Sequence, residues 1–166
     1  MILLHAPIDG KLLFCREVTP KNSDFLIPYA TFFEKDAPVL RLCIAPLDGR
    51  ICTPAPGILT LDTPPFLCID GKHRTLLWLH GADDAPLLPR DLGLLSLATA
   101  GAPLRRGQLL GYLAPSALGK AVRLSLAISL PQGTQVQCRN GRLAAQRPLL
   151  WCTGAARVEP TRKKTL

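Results

Sequence analysis

The chain has 166 residues, of which 48% are apolar but only 5% aromatic, and its formal net charge is +8. This length fits one domain with a substantial core, and no uncharged run reaches the ~18 residues of a membrane-spanning helix. The N-terminal residues lack the basic region of an export signal, so we expect a cytoplasmic protein.

A six-residue segment occurs twice. Residues 6–11 read Ala-Pro-Ile-Asp-Gly-Lys, and residues 45–50 read Ala-Pro-Leu-Asp-Gly-Arg. Self-similarity at a fixed spacing is typical of a duplicated supersecondary unit, and Asp-Gly between apolar residues is typical of a turn that reverses a strand. The sequence therefore predicts an all-β fold, a small barrel-sandwich built from a duplicated strand-turn motif.

Prolines and glycines are spread along the whole chain, 16 and 13 in number, and they interrupt short apolar stretches. Proline and glycine at this frequency would break long helices, whereas short strands joined by tight turns accommodate them. The predicted strands lie near 2–5, 10–17, 39–45, 49–53, 57–61, 66–70, 74–80, 108–113 and 123–130. Asp70-Gly71 is expected to turn 66–70 back along 74–80 as a hairpin, and alternation along 74–80 would place Leu76, Trp78 and His80 on one face.

Three segments between these strands are less regular. Residues 18–38 hold four of the seven Phe and Tyr residues. They are expected either to pack over the sheet or to offer a binding surface, and packing is the favoured interpretation. One or two short helical turns are predicted, from Asp91 to Ala100 before Gly101 and from Ser116 to Ala121.

The composition changes after Pro131. Residues 131–166 hold seven Lys and Arg residues against Glu159, so +6 of the net charge of +8 lies there. We predict a domain over 1–130, an extra C-terminal hairpin in 131–154 with an Asn-Gly turn, a further strand near 149–152, and a frayed basic tail over 155–166.

The six cysteines are predicted to be free thiols. No Cys-x-x-Cys motif is present, and no export signal accompanies them, so neither a disulfide framework nor a zinc knuckle is supported. Three of them lie in apolar strand-like runs and are expected to be small buried hydrophobic side chains, namely Cys43, Cys52 and Cys68.

The order of these elements resembles the glucose-type IIA domain of the phosphoenolpyruvate-dependent sugar phosphotransferase system, a duplicated hybrid motif, of which the chain would be a degenerate member. The resemblance spans about residues 1–130. The matching pieces are the two repeats, Ile69-Asp70-Gly71, the segment 77–83 (Leu-Trp-Leu-His-Gly-Ala-Asp), the Gly-x-x-Leu-x-x-Gly turn of 101–107, and the strand around 126–129.

The resemblance implies a phosphocarrier in which His80 accepts a phosphoryl group from HPr, the histidine-containing phosphocarrier protein. A neutral imidazole nitrogen is nucleophilic near pH 7 if the other ring nitrogen has an orienting acceptor. Trp78 and Asp83 would then help to bind the partner. The family's second active-site histidine falls on Pro65, which offers neither a ring donor nor a backbone N–H. We therefore expect either a phosphocarrier or a regulatory descendant with an incomplete site.

Two alternatives remain open. One is a non-catalytic protein-interaction module on the same scaffold, binding through the apolar surface around Trp78 and residues 25–33. The other is nucleic-acid binding through the basic tail, although no recognised motif accompanies its charges. None of these readings requires a cofactor, and a single imidazole offers too few ligands for a zinc site.

Overall fold

The structure is a computed structural model. It describes residues 4–18, 32–33, 39–60, 66–82, 87, 95–96, 99–118, 121–130, 135–138, 141–145, 148–149 and 155–158. None of the helices in these ranges is long and apolar enough to cross a membrane.

The described chain is almost entirely β-structure. Its one complete helix, α1, is the four-residue Pro115–Leu118. The strands are β1 (Leu4–His5), β2 (Gly10–Val18), β3 (Val39–Pro46), β4 (Arg50–Cys52), β5 (Gly57–Thr60), β6 (Phe66–Asp70), β7 (Thr75–His80), β8 (Leu95–Ser96), β9 (Pro103–Leu104), β10 (Leu109–Tyr112), β11 (Arg123–Ser129), β12 (Gln135–Cys138), β13 (Gly141–Leu143), β14 (Pro148–Leu149) and β15 (Ala155–Val158).

Two sheets form the body of the molecule. The larger has eight strands in the order β13-β2-β3-β11-β7-β6-β5-β9, and the smaller has the order β4-β10-β8. Every pairing within these two sheets is antiparallel. The larger sheet stays open among the described strands, so the fold is an all-β sandwich, as predicted, rather than a closed barrel.

The main core lies between the two sheets. Alternate residues of the central strands point into it, because successive side chains of a strand face opposite sides. Its members from the larger sheet include Leu12, Leu42, Ile44, Leu77, Leu79, Leu124 and Leu126, and those from the smaller sheet include Ile51 and Leu110. The central strands β3, β7 and β11 are also buried on their second face, which explains their nearly continuous apolar sequences.

The two repeats lie side by side where the chain turns. Gly10 pairs with Pro46 across β2 and β3, and the amide of Leu47 donates to the carbonyl of Asp9 at 2.8 Å. A Cβ atom on Gly10 would collide with the carbonyl oxygen of Ala45. Gly10 is therefore required by close backbone contact between the two copies.

The predicted strands that correspond to β2–β7, β10 and β11 are confirmed to within one or two residues, and so is the hairpin of β6 and β7. The predicted helix near Ser116 is present as α1. The predicted helix from Asp91 to Ala100 is wrong at 95–96, where β8 pairs with β10; the positions 91–94 and 97–98 lie outside the described residues.

The C-terminal segment differs from its predicted arrangement. Strands β12 and β13 do not form a hairpin with each other, because β13 pairs with β2 and β12 pairs in parallel with β15. The stretch 155–158, expected to be part of a frayed tail, is the strand β15. The predicted strand near 149–152 begins at Pro148 as β14, which pairs with β1.

The cysteine prediction holds for three residues and fails for one. Cys43, Cys52 and Cys68 are buried and are not disulfide-bonded, as expected. Cys15 is disulfide-bonded, which the sequence argument did not anticipate. Because disulfides are typical of oxidising compartments, cysteine usage gives no support to the predicted cytoplasmic location, which stays a prediction.

Candidate functional site

The predicted phosphoryl acceptor, His80, is the last residue of β7. This strand lies between β6 and β11 in the larger sheet. Register pairs His80 with Arg123 and pairs Trp78 with Ser125 on β11. Pairing with β11 positions the backbone at His80, whereas the pairing of β7 with β6 ends at Trp78.

The side chains of β7 alternate between two layers, as the sequence predicted. Leu77 and Leu79 point into the main core, whereas Leu76 and Trp78 belong to a second apolar cluster on the opposite face. Phe33 is part of that second cluster and is 3% exposed. The favoured interpretation of the aromatic segment, packing over the sheet, is therefore confirmed at this position.

Both ring nitrogens of His80 make hydrogen bonds. Nδ1 lies 2.7 Å from the carbonyl oxygen of Gly81, and Nε2 lies 2.7 Å from Oγ of Ser125. A carbonyl oxygen only accepts, so Nδ1 carries the proton and donates it. In the neutral ring Nε2 therefore accepts the hydroxyl proton of Ser125.

Arg41 extends this arrangement by one residue. Its Nη2 donates to Oγ of Ser125 at 3.3 Å. The direction of donation runs from Arg41 to Ser125, from Ser125 to His80 and from His80 to the Gly81 carbonyl. We call Arg41, Ser125 and His80 the buried polar cluster.

Aromatic rings enclose the cluster. The guanidinium carbon of Arg41 lies 5.3 Å from the ring centroid of Phe14 and 5.3 Å from that of Trp78. The rings of Trp78 and His80 lie 6.2 Å apart. The π-faces of Phe14 and Trp78 stabilise the buried, desolvated guanidinium of Arg41 by cation–π interaction.

The buried polar cluster is closed to solvent. His80 is 1% exposed, Ser125 0% and Arg41 3%. Buried polar groups are stable only when their hydrogen bonds are made, and here Nη2 of Arg41, the Ser125 hydroxyl and both ring nitrogens of His80 each take part in one. In this arrangement Nε2 of His80 is occupied by the Ser125 hydroxyl and is out of reach of an external phosphoryl donor.

The other predicted site residues have different outcomes. Trp78 is 1% exposed, so its ring lies inside the molecule and does not present a docking surface. Asp83 and Pro65 lie outside the described residues. The assigned roles of His80, Trp78 and Asp83 stay predictions.

Arg41 and Ser125 were missed by the sequence analysis. Each is a polar residue with apolar neighbours on both sides in its strand, in Val-Leu-Arg-Leu-Cys-Ile and in Leu-Ser-Leu-Ala-Ile. Such a residue on a strand buried on both faces needs a polar partner. This requirement could have indicated from the sequence that Arg41 and Ser125 belong to a buried polar site. The sequence alone did not reveal that the partners were each other and His80.

The two other histidines lie elsewhere in the fold. His5 is in β1, where burial and, to a lesser extent, Arg106 lower the pKa of its imidazole. His73 follows the turn between β6 and β7, and burial together with Lys72 lowers its pKa. Within the described ranges, no group of three or more His, Cys, Asp or Glu side chains could hold a metal ion.

Comparison with known proteins assigns the chain to no family. A scan against protein-family models finds no match for the chain, and a search of curated proteins finds no matching sequence. Arguments about function therefore depend on the residues and their geometry.

Proposed function

We propose that the chain is a non-catalytic protein-interaction module on a IIA-like scaffold, a regulatory descendant in which His80 has a structural role. The observation that carries this proposal is the burial of His80 with both ring nitrogens hydrogen-bonded. A phosphoryl acceptor must present a free nitrogen lone pair to its donor, and this imidazole gives its lone pair to Ser125.

The surface for such a partner lies away from Trp78. Among the described residues, the exposed large apolar side chains are Leu47, Ile58 and Tyr112, exposed by 56%, 50% and 41%. Tyr112 pairs with the exposed Arg50, three residues after Leu47, at the second repeat. Leu47, Arg50 and Tyr112 form what we call the corner patch. Its apolar side chains lie beside exposed charges of both signs, Arg50 and Asp48, which favours a protein partner with an apolar centre and a polar rim.

The phosphoryl-transfer role is tested directly. The purified chain is incubated with phosphoenolpyruvate, the first enzyme of the phosphotransferase system and HPr, and acid-labile phosphate on the chain is measured. We expect no adduct above the level of His80→Ala. An adduct that forms in the wild type and disappears in His80→Ala would contradict the proposal.

The interaction role needs a second experiment. Immobilised wild-type protein and the variants Leu47→Asp, Tyr112→Ser and His80→Gln are compared for retention of proteins from the source cell. We expect one partner to be retained by wild type and His80→Gln and lost by both corner-patch variants. Ile58→Asp, at an exposed apolar residue of β5, is the matched control and should retain it.

One observation favours the phosphocarrier as a second candidate. Donation from Nδ1 to the Gly81 carbonyl leaves Nε2 as the nucleophilic nitrogen, which is the orientation that a phosphoryl acceptor needs. In this candidate the Nε2 lone pair attacks phosphorus, the bond from phosphorus to the donor imidazole of HPr breaks, and that imidazole leaves with its electron pair. The guanidinium of Arg41 would then neutralise charge on the transferred group, once the strand end had opened to solvent.

A further inference from the structure

The two copies of the repeat make the same close contact on one side. We call residues 6–11 the first corner and residues 45–50 the second corner. A Cβ atom on Gly10 would collide with the carbonyl oxygen of Ala45, and one on Gly49 would collide with that of Leu113. Each glycine therefore lies against a neighbouring segment of backbone at a distance that admits no side chain.

The first corner is covered on its other side by β13 and the residues after it. Leu143 pairs with Gly10, is 1% exposed, and belongs to the same core cluster as the fully buried Ile8. The amide of Ala145 donates a hydrogen bond to Oδ1 of Asp9 at 2.5 Å. A leucine, and a backbone amide two residues after it, are thus what this covering segment brings to the corner.

The second corner has no such cover among the described residues. Leu47, which takes the place of Ile8 in the repeat, is 56% exposed, and the next residue, Asp48, is also exposed. Strand β4 ends the smaller sheet, and no described strand pairs with its outer edge. The amide of Cys52 donates to the carbonyl of Pro7 across that edge, at the end of β4 away from the corner. The second corner therefore exposes the two positions that are covered in the first.

We infer that the second corner binds an extended segment of a partner protein, with a leucine against Leu47 and Tyr112 and a backbone amide, two residues after that leucine, against the carboxylate of Asp48. This inference deepens the proposed interaction role and rests on it. Oδ1 of Asp48 accepts a hydrogen bond from the amide of Gly49 at 2.6 Å. An ionised carboxylate has about four lone-pair sites, so it can accept a second. Burial of the leucine removes apolar surface from water on both partners, and the amide gains a charge-assisted hydrogen bond.

A peptide copied from the covering segment is the probe. It has the sequence of residues 141–145, Gly-Arg-Leu-Ala-Ala, and its ends are acetylated and amidated. At the first corner the chain's own segment competes intramolecularly, at an effective concentration in the millimolar range, so the peptide reports on the second corner. Binding to the isotope-labelled wild-type protein is followed by NMR. We expect saturable shifts of the amides of Leu47, Asp48 and Arg50, with a Kd of about 1 mM.

Changes on either side of the contact give matched comparisons. Leu47→Asp, and a peptide with Asp in place of its leucine, should each weaken binding at least about tenfold. Asp48→Asn should weaken it about threefold, because a neutral acceptor makes a weaker hydrogen bond. Ile58→Asp, at an exposed apolar residue, and Asp70→Asn, at another exposed Asp-Gly turn, should bind like wild type.

Three results would overturn the inference. The first is the absence of saturable shifts up to about 10 mM peptide, or shifts confined to β2 and β13. The second is a concentration-dependent dimer of the wild type that Leu47→Asp dissociates, because the occupant would then be a second copy of the chain. The third is a cellular partner that both corner-patch variants lose but that the peptide does not displace. In that case the proposed interaction role stands and the extended segment does not.

Discussion

Nε2 of His80 and Oγ of Ser125 lie 2.7 Å apart although the register of β7 and β11 pairs Ser125 with Trp78, two residues earlier. The imidazole therefore reaches diagonally along the sheet rather than directly across it. Diagonal neighbours in a sheet are within reach of long side chains, and here the contact joins the end of one strand to the middle of the next.

Replacing Ser125 with Ala should destabilise the protein without creating a large cavity. The substitution leaves Nε2 of His80 and Nη2 of Arg41 without this hydrogen-bond partner in a site closed to water. We expect the free energy of unfolding to fall by about 1–3 kcal/mol, measured by urea denaturation at pH 7.5.

Ser129→Ala is the matched control for that measurement. Ser129 lies on the same strand, and its hydroxyl accepts a hydrogen bond from the amide of Arg74 in an exposed position. Water can replace this contact, so the change should be within about 0.5 kcal/mol. Equal losses for Ser125→Ala and Ser129→Ala would show that the buried polar cluster contributes nothing specific.

The duplicated corners should be intolerant of any side chain at their glycines. A Cβ atom on Gly49 would lie 2.5 Å from the carbonyl oxygen of Leu113, and one on Gly10 would meet the carbonyl of Ala45. Both neighbours are backbone atoms and cannot move aside cheaply. We expect Gly10→Ala and Gly49→Ala each to lower the free energy of unfolding by about 2–4 kcal/mol in urea titrations.

Gly101→Ala separates crowding from backbone strain. Gly101 has a φ of 83° but open space where a Cβ atom would be placed. Only the left-handed conformation is penalised there, so the expected loss is about 1–2 kcal/mol. A loss at Gly101 that equals or exceeds those at Gly10 and Gly49 would contradict the steric account of the repeat.

The sequence predicted the strands well because their apolar runs and turn residues are local signals. The repeated Asp-Gly turns placed β2, β3 and β4 almost to the residue, since each Gly is demanded by close backbone contact. The pairing of β13 with β2 could not be predicted in this way. An Asn-Gly pair between two polar strands indicates a hairpin locally, whereas the actual partner is set by an open sheet edge more than 120 residues away in the sequence.

The candidate site was only partly predictable for a related reason. His80 and its strand face followed from alternation, but its burial depends on what packs over the second face of the sheet. Phe33 and Val39 reach that face from a distant part of the chain. Ser125 and Arg41 join His80 through tertiary pairing of three strands, which no local pattern specifies.

Cys43, Cys52 and Cys68 should react slowly with thiol reagents in the folded protein. Cys43, Cys52 and Cys68 are buried, and burial is the main cause that raises the pKa of the Cys52 thiol. Because the thiolate is the reactive form, we expect labelling by an aromatic disulfide reagent at pH 8 to be at least about 100-fold slower than in urea. Labelled peptides are identified by mass spectrometry. Fast native labelling of Cys43, which is opposite Ser125, would show that the second face of the sheet opens readily.

Acidification should destabilise the protein partly through His5. Burial, with Arg106 as the second cause, lowers the pKa of His5 in the folded state. In the unfolded chain the same imidazole has a pKa of ~6.5. Below that value the unfolded state binds more protons than the folded state. The contribution of His5 is therefore fully present above about pH 7 and is lost progressively as the pH falls below ~6.5.

Comparison of wild type with His5→Asn isolates this contribution. Urea unfolding is measured between pH 5 and 8, and the difference in unfolding free energy between the two proteins is plotted against pH. The wild type should lose stability relative to His5→Asn as the pH falls below ~6.5, because only its unfolded state gains a proton at this position. Arg106→Gln should reduce the slope without abolishing it, since burial is the larger cause. A difference that does not change with pH would mean that His5 has the same proton affinity in both states, which would contradict the prediction.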